Sequence, residues 1–168
     1  LFHDFLVTEN YFVLVAAPAT WGPVGQPLRA LQMTLEFVTG KLPVGSMICF
    51  DESQPTTVYL FPRDERTGLR PIAIELDTFF SFHHANAWEE GDTLVFDTVS
   101  TPKLIVDDSS LEGTGRADKG DSNRFLVEDI DYEQDAPRTD LVRYTLGLKW
   151  GSYSRRALST RHVEFPSV

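Results

Sequence analysis

Short runs of β-branched and aromatic residues, each ended by turn residues, recur along this chain and commit it to sheets rather than helices. Residues 11–16 (YFVLVA) predict a buried strand. Residues 56–61 (TTVYLF) predict another, ended by Pro62. Residues 72–76 follow the loop 63–68, and residues 93–99 (TLVFDTV) follow a turn at Gly91-Asp92. Residues 141–148 and 152–163 make a last pair, with Lys149-Trp150-Gly151 as the hairpin turn between them. Strands this short and this evenly punctuated predict an all-β sandwich, barrel or propeller. No internal sequence repeat stands out. That leaves a propeller open, because blades need not resemble one another.

Two segments break the rhythm. Within residues 21–43, Leu28, Leu31, Leu35 and Val38 recur at steps of three or four, which is helical spacing. Pro27 suits a first helical turn and Gly40 a stop. One amphipathic helix inserted between strands is expected there. Residues 107–137 are rich in Asp, Glu, Ser and Gly, and weakly apolar except for Phe125-Leu126-Val127. They read as a long acidic surface loop, partly disordered.

Composition narrows the function. With 168 residues, 42% of them hydrophobic, the chain can build a real core. A formal net charge of −10 repels phosphate backbones and speaks against nucleic acid. Cys49 is the single cysteine, so neither an internal disulfide nor a cysteine-rich metal site is available. No run of about 18 apolar residues exists to form a membrane-spanning helix. The patterning is dense at both ends, so the expectation is a single truncated domain over residues 1–168.

Imidazole is the side chain most often found on metals, because its neutral form is available near pH 7. The histidines are His3, His83, His84 and His162. His3 and Asp4 precede the strand at 11–16, and His83-His84 precede the strand at 93–99. Neighbours in a strand face opposite ways, so His83 and His84 are not both expected on one metal. Asp4, Glu89 and Glu90 would complete a two-histidine, one-carboxylate iron site. They would equally suit a solvated surface, and the residues alone do not choose.

The same residues resemble signature stretches of the carotenoid cleavage oxygenase family. Phe2-His3-Asp4-Phe5, followed by Thr8-Glu9-Asn10-Tyr11, is similar to one. Phe82-His83-His84-Ala85-Asn86-Ala87-Trp88-Glu89 is similar to a second. Arg143-Tyr144-Thr145-Leu146 and the later Glu164-Phe165-Pro166 are similar to a third. The order matches as well, and the resemblance runs from end to end, weakest over 100–137.

The resemblance implies part of a seven-bladed β-propeller, roughly three blades, with one inserted helix. It implies a non-haem Fe(2+) dioxygenase that uses O2 to cut a conjugated double bond of a carotenoid or apocarotenoid into two carbonyl products. Relatives of the same fold that isomerise and hydrolyse retinoid esters, or cleave stilbenes, are the alternatives, as is a noncatalytic propeller binding module. Of four iron-binding histidines, His3 would be the second and His83 the third, the others lying outside this chain. Glu164 would accept a hydrogen bond from a liganding histidine. Phe79, Phe80 and Phe82 would line an apolar tunnel or pack between blades. Leu28, Leu31, Leu35, Phe37 and Val38 would make a peripheral membrane contact or cap the propeller face. By analogy the compartment would be a plastid or the cytoplasm.

Overall fold

A computed structural model describes residues 3–42, 45–104 and 138–159. The acidic segment expected over 107–137, the end of the last predicted strand and Glu164 lie outside the described residues. The chain divides into two compact units. One gathers residues 1–18, 52–102 and 139–168; the other gathers 19–51 and 103–138.

The first unit holds two four-stranded antiparallel sheets. β1 (Leu6–Val7), β2 (Tyr11–Ala16), β5 (Thr56–Pro62) and β6 (Ile72–Leu76) pair in the order β1-β2-β5-β6. β7 (His84–Glu90), β8 (Thr93–Ser100), β9 (Asp140–Gly147) and β10 (Ser152–Ala157) pair in the order β10-β9-β8-β7. The period-two pattern decides which face of each strand goes inward. Tyr11, Val13 and Val15 of β2 are buried, as are Thr56, Val58 and Leu60 of β5 and Val142, Tyr144 and Leu146 of β9. All of these but Thr56 join Leu94 and Phe96 of β8 in one apolar core. Tyr144 stands at its centre, with ring centroids 5.0 Å from Phe79 and 5.1 Å from Phe96, nearly parallel to both. Burial raises its phenol pKa, so the hydroxyl stays protonated. Thr56 is fully buried without polar loss: its hydroxyl donates to the Phe79 carbonyl at 2.7 Å and accepts from the Phe79 amide at 2.9 Å.

Tight turns join the strands of the second sheet. β7 and β8 pair Glu90 with Thr93 across Gly91-Asp92. Gly91 has φ +60, a conformation that a side chain would strain. The Lys149-Trp150-Gly151 turn joins β9 to β10, as expected, and β10 ends at Ala157, short of the expected 163. Where roughly three blades were expected, the described residues form two four-stranded sheets and a two-stranded ribbon.

The second unit contains that ribbon, β3 (Ala19–Trp21) with β4 (Ile48–Phe50), and the helix α1 (Pro27–Val38). Proline opens the helix as the sequence predicts. It closes at Gly40, φ +72, whose amide donates to the Phe37 carbonyl at 3.0 Å while the Lys41 amide donates to Glu36 at 2.8 Å. This pair of bonds is the glycine stop in which both orphan carbonyls are satisfied. None of the helix residues is buried.

Candidate metal centre

Two segments of the first unit bring the candidate residues together. His3 and Asp4 lie just before β1, and His83 lies at the entry to β7. The two histidine rings face each other with centroids 4.9 Å apart and planes tilted by 42°. Phe82 closes one side, its ring edge-on to His3 at 5.6 Å and to His83 at 6.5 Å.

His84 goes elsewhere. Its Nδ1 meets Thr98 Oγ1 at 2.8 Å, and burial lowers its pKa to about 4, against weaker opposing help from Asp4. It is therefore neutral across the physiological range. The divergence of His83 and His84 follows from strand alternation. A register shift between His84 and Asn86 then resets the alternation for the rest of β7. Bulges of this kind re-aim side chains beside sites. The His83 backbone is held too. Its carbonyl accepts from Val99 N at 3.2 Å, Ser81 Oγ at 3.0 Å and Thr98 Oγ1 at 3.2 Å.

Carboxylates tie the two segments together. Asp4 Oδ1 accepts from the Phe5 amide at 2.8 Å, and its Oδ2 accepts from the His84 amide at 3.2 Å. Glu89 reaches the other way. Its Oε1 accepts from Thr8 Oγ1 at 2.5 Å and from the Asn10 amide at 2.8 Å, and its Oε2 from Asn10 Nδ2 at 2.8 Å. Burial acts to raise the Glu89 pKa, but these three bonds outweigh it and the net shift is downward. Glu90 accepts from Trp88 Nε1 at 2.7 Å. Arg143 lies over the Trp88 ring at 4.7 Å and forms a two-pronged pair with Asp97 at 2.7 and 2.8 Å. Thr8, Asn10 and Glu89 are thus fasteners between the two segments, while Trp88 and Arg143 tie strands within the second sheet. Sequence reading missed that role, because hydrogen bonding between segments so far apart in the chain leaves no local pattern.

Of the three phenylalanines considered for a tunnel, Phe79 is a core residue stacked on Tyr144, and Phe80 is buried against Phe82 at 4.5 Å, edge to face. Phe82 is 43% exposed and borders both imidazoles. Among the described residues no group of three or more His, Cys, Asp or Glu side chains gathers as a metal site. The donor set still fits a metal in part. Two imidazoles stand side by side, while the nearby carboxylates of Asp4, Glu89 and Glu90 are occupied by amide, hydroxyl and indole donors.

Four-stranded antiparallel sheets joined through a shared core are the parts of a β-propeller. The chain belongs to the family described as retinal pigment epithelial membrane protein, whose model matches residues 1–168. It is 28% identical over 168 residues to carotenoid 9,10(9',10')-cleavage dioxygenase 1 of Pisum sativum, an alignment covering 100% of this chain and 25% of that protein. It is 25% identical over 169 residues to apocarotenoid-15,15'-oxygenase of Synechocystis, covering 99% of this chain and 28% of that protein. The crystal structure of cobalt-substituted Synechocystis ACO superposes with a TM-score of 0.69 at 22% identity, covering 98% of this chain and 28% of that one. The chain therefore spans about a quarter of the relatives it matches.

Proposed function

We propose that the full-length protein is a non-haem Fe(2+) dioxygenase that cleaves a conjugated carbon–carbon double bond of a carotenoid or apocarotenoid. Bound iron would supply O2 activation. The overall change is balanced without a further reductant: one carbon–carbon double bond and the O–O bond break, and two carbonyl groups form. The names of the curated relatives, cleavage dioxygenases and an oxygenase, support cleavage over the isomerohydrolase and stilbene alternatives.

The observation that carries this reading is the 4.9 Å pairing of His3 with His83, while the adjacent His84 is turned into a hydrogen bond with Thr98. His3 and His83 would hold two positions on the metal. Glu164 would accept a hydrogen bond from a liganding imidazole, fixing its tautomer and raising its basicity. Phe82 would shield the rings from water and present an apolar surface to a polyene. Leu28, Leu31, Leu35, Phe37 and Val38 on the exposed α1 would rest in a membrane surface and receive a substrate that does not dissolve in water.

Iron content and O2-dependent cleavage of a β-apocarotenoid test the reading, in the full-length protein and its His83→Ala and His84→Ala variants. Loss of both properties in His83→Ala, with iron retained in His84→Ala, is expected. A wild type without iron, or two variants that behave like it, overturns the enzyme in favour of a noncatalytic propeller module.

A further inference from the structure

Each of the two histidine-bearing segments contributes one carboxylate that the other receives. Asp4, next to His3, accepts from the amide of His84, next to His83. Glu89, on the strand that follows His83, accepts from Thr8 and Asn10, downstream of His3. The two ties differ in reach. Asp4 joins the residue after one imidazole to the residue after the other, so any slack there passes directly into the gap between the rings. Glu89 fastens the segments several residues from either ring, at the far end of β7.

We infer that Asp4 is a positioning residue, whose carboxylate bridge from the Phe5 amide to the His84 amide sets the separation of His3 and His83 for a shared metal. This inference rests on the metal reading proposed above. The physical reason is geometric. A metal–imidazole bond is about 2.1 Å long and tolerates little error, so ligands from distant segments need a short rigid connection. Ser81 and Thr98 already hold the His83 carbonyl from within the second sheet. His3 lies on an exposed approach with no strand of its own, and Asp4 is the side chain nearest to it that reaches across. Glu89 by contrast stabilises the joint without setting the ring spacing.

The test uses full-length protein stripped of metal and titrated with Co(II), whose visible bands report ligand number and geometry. Asp4→Ala should bind Co(II) at least about 10-fold more weakly, with altered bands. Asp4→Asn keeps one accepting oxygen and should recover part of the affinity. Glu89→Gln should keep the wild-type bands while lowering the unfolding temperature of the metal-free protein. Asp4→Ala and Asp4→Asn with wild-type affinity and bands would overturn the role of Asp4, provided His3→Ala and His83→Ala lose binding. If the histidine variants themselves bind like wild type, the metal reading falls and this inference falls with it.

Discussion

In the first unit each central strand buries one face, and seven residues in succession along β8, from Leu94 to Ser100, are buried. In the second unit α1 does the reverse: Leu28 is 83% exposed and Val38 74%, and no residue of the helix is buried. Both segments are rich in apolar side chains, so hydropathy does not separate them. The difference lies in what each can pair with. A strand in the middle of a sheet is covered by its neighbours and by the facing sheet, whereas a lone amphipathic helix stays uncovered until something meets its apolar face. The imidazoles sit in the unit with the buried core.

The sharpest way to break this contrast is to hollow out the buried side. Tyr144→Ala removes a fully buried ring stacked on Phe79 and Phe96, and should lower the stability of the full-length protein by about 3–5 kcal/mol, read from denaturant or thermal unfolding. A loss under about 1 kcal/mol would mean that the core is far looser than the stacking implies.

A smaller effect tests the polar joint. The Glu89 carboxyl lies below its ordinary value of 4.5, so folding favours its charged form. That contribution is fully present above the unfolded value, and is lost as pH falls through the lower folded value. Glu89→Gln should therefore flatten the acid limb of stability below about pH 4.5, seen by comparing unfolding midpoints of wild type and variant across pH 3–7. An unchanged acid limb would show that the three bonds to Glu89 are replaced by water at little cost.

The smallest effect on stability belongs to the exposed side. Leu31→Glu combined with Leu35→Glu should leave the unfolding free energy within about 0.5 kcal/mol, because neither side chain is packed. Binding of the full-length protein to liposomes should fall. Unchanged liposome binding would remove the membrane role, and a large loss of stability would show that α1 is covered in the whole protein.

Much of the fold was legible in the chain. β2 and β6 have the bounds read from sequence, and the helix falls inside its expected window with its proline start and glycine stop. Alternation is a local property, so it survives without knowledge of partners. β7 escaped, because HANAWEE carries Asn and two Glu and has no β-branched residue. It is a strand because β8 supplies its hydrogen bonds and Ala87 packs on the core. β1, β3 and β4 are too short to leave a periodic signal and exist by pairing alone.

The site divides the same way. Sequence by itself determined that His3 and His83 stand in the matching motifs, that adjacent His83 and His84 diverge, and that the chain is mostly strands with one helix inserted between them. Only the tertiary structure decided that the His3 ring meets that of His83, that His84 is spent on Thr98, and that Asp4 and Glu89 fasten the segments to each other. The reason is that local pattern fixes which way a side chain points, while a contact between residues far apart in the chain depends on how two sheets come to rest against a shared core.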